Sequence, residues 1–216
     1  MTRGKQQGVV RIIAGRWRRS PLAVVDAVGL RPTPDRVRET LFNWLSNEFD
    51  RSFEGVSFLD LFAGSGALGL EAASRGAGPV VLVERNPIAA ETLRAQVKKF
   101  GAESQVAVHQ SDAQVIVSQL RRDQARFDVV LLDPPFASEG LAEILGSVAP
   151  VCARFLYVEA SRALDADQVE PLGLTMRRSA RAGAVFYHLL QRTNNEETVD
   201  ASSDLSRNIR SSDTRS

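Results

Sequence analysis

From Val56 onward, short apolar runs alternate with stretches whose apolar residues recur at helical spacing. This alternation constrains the fold more than any other feature. It predicts strands at 56–61, 79–84, 105–109, 128–132 and 154–159, with helices at 67–76, 86–100, 112–123 and 139–149 between them. Near-continuous apolar runs such as Val129-Val130-Leu131-Leu132 suit strands buried on both faces of a parallel sheet. Right-handed crossovers then place helices on both sides. The expected fold class is α/β and Rossmann-like. Two further strands, Leu174–Ser179 and Ala184–Gln191, flank Arg181-Ala182-Gly183 and are expected to pair antiparallel. The segment between Glu159 and Leu174 shows no clear pattern.

The front of the chain is different in kind. Residues 1–38 carry nine Lys or Arg and two Asp, a balance of +7, while the other 178 residues carry −6. A basic front on an acidic body suits contact with a polyanion. Val9–Ala14 and Pro21–Val25 read as the arms of a hairpin, with Gly15–Ser20 as its turn. Trp17 stands among Arg16, Arg18 and Arg19. It would either stack on a base while the guanidinium groups hold phosphates, or cover the hairpin. Thr33 and Pro34 read as N-cap and first residue of a helix reaching about Asn47. Val37, Leu41, Trp44 and Leu45 form its apolar stripe, and Arg36 and Arg38 lie off the stripe, free to face a ligand. These readings divide the chain into a basic hairpin-and-helix segment 1–50 suited to RNA, an α/β domain 51–192 and a polar tail 193–216 expected to be disordered.

Composition excludes several classes. No stretch approaches the ~20 apolar residues of a membrane span. The start of the chain lacks the apolar region of a secretory signal. A lone cysteine, Cys152, cannot form an internal disulfide, fits a reducing cytoplasm and reads as a core residue. His109 and His188 have no partners at metal-ligand spacing, so no metal is expected.

Asp60-Leu61-Phe62-Ala63-Gly64-Ser65-Gly66-Ala67-Leu68-Gly69 joins the first core strand to its helix and satisfies G-x-G-x-x-G. Such glycines let a backbone approach a ligand at a helix N-terminus. Glu84 closes the next strand, where an acid grips ribose hydroxyls. A dinucleotide or S-adenosylmethionine would fit. Asp60 would repel a pyrophosphate but suits an ammonium. Asp112, after the third strand, can accept from an adenine amine, or can merely cap a helix. The cofactor candidates are Asp60, Phe62, Gly64, Ser65, Gly66, Glu84, Arg85, Asp112 and Ala113. Asp133-Pro134-Pro135-Phe136 ends the fourth strand. A carboxylate and a fixed proline carbonyl can accept from an exocyclic amine, and a phenyl ring can stack on the base. Hydride transfer has no use for this block, which favours S-adenosylmethionine. The block does not separate adenine from guanine, and an Asp-Pro turn with a buried Phe remains the plainer alternative.

With these residues in place, the chain resembles the bacterial small-subunit ribosomal RNA guanine-N2 methyltransferases of the RsmD type, from about Arg11 to Gln191. Arg11-Ile12-Ile13-Ala14-Gly15, the segment Gly29-Leu30-Arg31-Pro32-Thr33 with the helix from Asp35 to Leu45, and the Asp60–Glu71 and Asp133–Phe136 blocks carry the likeness. Pro34 stands where a polar residue is expected. The resemblance implies a class I methyltransferase fold, a seven-stranded sheet whose last strand is antiparallel. It also implies methylation of one guanine N2 amine of 16S rRNA on an assembled or assembling small subunit, in the cytoplasm. The cofactor roles pass to Asp60, the Gly64–Gly66 turn, Glu84 and Asp112. The base-binding role passes to Asp133 through Phe136. Arg11, Arg16, Trp17, Arg18, Arg19, Arg31, Thr33, Arg36 and Arg38 are the expected RNA contacts, and a monomer is the default. The competing readings are a DNA-adenine or protein-glutamine methyltransferase, a nicotinamide-dependent oxidoreductase, and a non-catalytic RNA-binding assembly factor.

Overall fold

The computed structural model describes residues 10–24, 34–134 and 140–193. Arg31, Thr33, Pro135, Phe136 and the tail from 194 lie outside the described residues.

The elements are α1 (Asp35–Glu48), β1 (Phe58–Asp60), α2 (Gly69–Ser74), β2 (Val80–Glu84), α3 (Pro87–Lys99), β3 (Val106–Gln110), α4 (Ala113–Arg122), β4 (Phe127–Leu132), α5 (Leu141–Val148), β5 (Cys152–Ala160), α6 (Ala166–Val169), β6 (Leu174–Ala182) and β7 (Val185–Arg192). The sheet order is β3-β2-β1-β4-β5-β7-β6. β1 to β5 pair in parallel, and β7 runs antiparallel between β5 and β6. The antiparallel last strand expected from the sequence is therefore present.

Side-chain alternation along the strands builds two cores, one on each face of the sheet. Phe58, Leu82, Val129, Leu131, Phe155 and Tyr157 meet the hairpin, α1, α2 and α3 on one face. Leu59, Val83, Val130, Leu132, Leu156 and Val158 meet α4, α5 and α6 on the other. Local signals start the helices. The Asn86 side chain accepts from Ile88 N and Ala89 N, with Pro87 in the first turn of α3. Asp112 caps α4 through Gln114 N.

Four expectations need correction. α1 begins at Asp35 with Pro34 as its N-cap residue, one position later than the sequence predicts. The patternless segment after Glu159 holds α6, started by an Asp165–Gln168 capping box. The β6–β7 turn lies at Gly183-Ala184. Among the described residues of the N-terminal hairpin the two arms share a single antiparallel bridge, Arg11 with Pro21, and form no regular strands. The reason is that its amides are used elsewhere: Ile13 N and Ala14 N donate to the Glu71 carboxylate (2.6 and 3.0 Å), and Ala23 N to Gln96 Oε1 (2.9 Å).

No helix among the described residues is long and apolar enough to cross a membrane. Cys152 is buried, and burial pushes its thiol up to about 12, which leaves it an inert core residue as expected.

Candidate active site

Because β1 to β5 are parallel, the residues that end them share one edge of the sheet. Asp60, Glu84, Asp112 and Asp133 all stand there, as the sequence predicts. This is the edge where open α/β sheets bind ligands.

Asp60 is almost wholly buried (1 % exposed). Its Oδ2 accepts the Gly69 N–H at 3.0 Å, which ties the end of β1 to the start of α2. A Cβ on Gly69 would lie 2.1 Å from Leu82 Cδ2 and 3.2 Å from Asp60 Oδ2, so a larger residue there would displace the buried Leu82 side chain. Gly64 and Gly66 both hold positive φ, 52° and 79°, which lets the loop fold back tightly. Burial pushes the Asp60 carboxyl up to about 7; the Gly69 N–H opposes this, and the charges of Asp133 and Glu84 reinforce it. Glu84 Oε2 accepts from Gly64 N (2.9 Å) and its Oε1 from Asn86 N (2.7 Å), so the carboxylate links the loop to the start of α3.

The other cofactor candidates take lesser positions. Ser65 offers its carbonyl to Gln96 Nε2 (3.4 Å). Phe62 and Ala113 are half-buried against the second core, and Arg85 is exposed. Asp112 is exposed and one of its oxygens caps α4, the plainer of its two expected roles; the rest of the carboxylate faces solvent. The donor set fits S-adenosylmethionine. Asp60, Glu84 and Asp133 supply mutually repelling negative charge, which a cationic amino-acid ligand relieves and a pyrophosphate aggravates.

At the acceptor side, Asp133 is half-buried and Pro134 buried. Glu159, to which the sequence reading gave no role, stands beside them. Leu132 pairs with Val158, which brings Glu159 next to Asp133. Glu159 is buried and accepts the Tyr157 hydroxyl at 2.8 Å. Burial and the Glu159 charge push the Tyr157 pKa up, so the hydroxyl stays a donor. A charged residue closing an apolar strand at this edge was the available signal.

The basic segment divides. Arg11, Arg16, Arg18, Arg19 and Arg36 are exposed. Trp17 and Arg38 are not, and their expected RNA contacts are corrected. Trp17 is buried, stacked on Phe100 with ring centroids 4.9 Å apart, so it takes the covering role. Arg38 is fully buried and donates to Arg11 O (2.8 Å), Asp35 Oδ1 (2.6 Å) and Ala67 O (3.4 Å). It braces α1 against the hairpin and the glycine loop. Glu71 and Gln96, both buried, do similar work and had no role in the sequence reading. Among the described residues no group of three His, Cys, Asp or Glu could hold a metal ion.

A family model described as "Conserved hypothetical protein 95" matches residues 10–191. The chain belongs to that family. A relative in Haemophilus influenzae, the "Ribosomal RNA small subunit methyltransferase D", is 39% identical over 194 residues, 86% of this chain and 95% of the relative. The solved structure of the Escherichia coli yhhF protein is 34% identical, covers 86% of this chain and 99% of its own, and superposes with a TM-score of 0.72. The magnesium protoporphyrin IX methyltransferase of Synechocystis PCC 6803, solved with bound SAM, is 17% identical with a TM-score of 0.59 over 73% of this chain and 79% of its own. It shares the fold of this chain.

Proposed function

We propose that this chain transfers a methyl group from S-adenosylmethionine to the exocyclic N2 amine of one guanine in small-subunit (16S) ribosomal RNA, on the assembled or assembling subunit. The observation that carries this reading is the pairing of Asp60 and Asp133 on one edge, close enough that the charge of one raises the pKa of the other. One carboxylate suits the donor's ammonium and the other the acceptor's amine. The name of the Haemophilus relative supports the RNA substrate.

S-adenosylmethionine supplies an electrophilic methyl on a sulfonium that leaves without acid help. The protein's part is placement. The guanine amine is a poor nucleophile because its lone pair is delocalised into the ring. Asp133 and the carbonyl of Pro134 accept its two N–H groups, which favours pyramidalisation and aims the lone pair. Holding reactants in near-attack geometry is worth up to about 7–11 kcal/mol of the barrier. After transfer the amine's proton goes to Asp133 or water. The base leaves its stack first, at a cost of a few kcal/mol that contacts from the exposed arginines offset. A nicotinamide cofactor is disfavoured, because the charges of Asp60, Glu84 and Asp133 on this edge would oppose a pyrophosphate.

Asp133→Ala is expected to keep S-adenosylmethionine affinity within a few-fold by calorimetry and to lose on the order of 10²–10³ in tritium transfer to small subunits. Near-normal turnover in that variant overturns the assignment.

A further inference from the structure

We propose that a cavity between the hairpin tip, α1 and the end of α2 is a second RNA contact, in which Arg75 and Arg18 hold a backbone phosphate away from the catalytic edge. The proposal rests on the RNA-methyltransferase reading above. The cavity is open, about 580 Å³, and lined by Arg18, Glu39, Asn43, Arg75 and residues 13–15.

Its position follows from topology. α2 starts at Gly69, beside Asp60, and runs away from the catalytic edge; its six residues span about 9 Å. Arg75 follows its last residue. The hairpin tip is fixed at this end. Arg16 N donates to Ser74 O (2.7 Å) and Trp17 N to Ser74 Oγ (3.0 Å). The arginines of the turn therefore project from a rigid seat opposite the end that holds the cofactor loop.

Arg75 is preorganised for an anion. Its Nε donates to Glu71 Oε1 (2.7 Å), and its guanidinium lies 4.7 Å from the centroid of the buried Phe42 ring. Among the described residues its two Nη atoms make no hydrogen bond or ion pair. A planar donor pair held in this way loses little side-chain freedom on binding, and it matches two oxygens of a phosphate. Arg18 is exposed and has no ion pair among the described residues. Asn43 adds an amide donor. Glu39 is the one acidic group in the lining, against two guanidinium groups, and Arg16 and Arg19 adjoin on the same turn.

α1 connects the neighbourhood of the cavity with that of the catalytic edge. The first turn of α1 touches the glycine loop, where Arg38 Nη1 reaches Ala67 O. Arg36, Thr40 and Asn43 share one face of α1 at helical spacing. From Arg36 to Asn43 that face spans about 10 Å, so a strand whose target base lies at Asp133 would pass exposed Arg36 before it meets Arg18 and Arg75.

The test uses the full chain, with Arg18→Ala and Arg75→Lys alone and combined. Lysine keeps a cation beside Glu71 and Phe42 but removes the fork. Melting temperature and S-adenosylmethionine calorimetry serve as fold controls. Filter binding of labelled small subunits is measured across salt concentrations, together with KM and kcat for methylation. The double variant is expected to bind subunits about tenfold more weakly, to lower the salt slope by about one phosphate contact at most, and to raise KM rather than lower kcat. Unchanged affinity and slope overturn the proposal. So does a variant that loses binding of inorganic phosphate while keeping subunit affinity, since the cavity would then serve a free anion. Because subunit binding is read without turnover, a wild-type chain that binds but transfers no methyl group sinks the functional reading and still tests the anchor.

Discussion

Asp60 carries the clearest pH signature in the molecule. Its folded pKa, about 7 against an ordinary 3.8, means that the folded chain holds a proton which the unfolded chain has already lost between about pH 4 and 7. With the folded state binding more protons, stability of the ligand-free protein falls as pH rises through that window. A cationic ligand favours the charged carboxylate. S-adenosylmethionine is therefore expected to bind more tightly as pH rises from about 5 to 7, with proton release on binding. The gain ends where the ligand's own amine begins to titrate, near 7.7–8.0. Calorimetry in buffers of different ionisation enthalpy reads both quantities. Asp60→Asn keeps an acceptor for Gly69 but is expected to bind more weakly and to lose the pH dependence; affinity that is flat in the wild type from pH 5 to 7 contradicts the account. Asp60 and Glu84 were legible because glycine spacing and strand ends fix where such acids must stand. Trp17 was not. Its neighbours in sequence are arginines, which signal a surface, while the ring that covers it belongs to Phe100, far along the chain. Arg38 misled for the same reason, since its burial depends on carbonyls of the hairpin and glycine loop.

The hairpin shows how one element is held by another. Its edge amides go to Glu71, and its tip sits on Ser74. A Cβ on Gly15 would fall 1.9 Å from Ser74 O, and Gly15 holds φ at +83°. The obstacle is backbone, so no side-chain rotation relieves it. Gly15→Ala is expected to lift the tip, to cost about 1–3 kcal/mol in denaturant unfolding, and to speed tryptic cleavage at Arg16, Arg18 and Arg19. A variant as stable and as protease-resistant as the wild type would show that the tip is not seated there. The sequence predicted a turn at Gly15 but not irregular arms, because nothing local indicates that Glu71 competes for the strand amides. α6 is a different kind of miss. Asp165 and Gln168 have the spacing of a capping box, so the signal was present in the sequence and simply weak over a helix of four residues.

At the scale of the whole chain, strand and helix types were readable because each burial pattern is local, whereas strand order is a long-range property that no local period states. The boundary expected after residue 50 is the point where this matters most. Val10, Ile12, Trp17, Leu22, Val37, Leu41, Phe42, Leu45 and Phe49 are all buried, and all belong to the core that covers one face of the sheet. Full burial of a large apolar side chain contributes about 1.5–3 kcal/mol, so losing even a few of these contacts is a large fraction of the roughly 5–15 kcal/mol of net stability a domain has. The described residues of this first segment therefore roof one face of the sheet, and the segment is expected not to be separable from it. A chain beginning at residue 51 would bare Phe58, Phe155, Tyr157 and Tyr187 to water. Such a chain is expected to lose its cooperative thermal transition, to bind hydrophobic dyes, and to lose S-adenosylmethionine affinity although every proposed cofactor residue is present. A sharp calorimetric transition and retained cofactor binding in that fragment would instead make the first fifty residues a separable unit, with the arginine surface carried on a detachable arm.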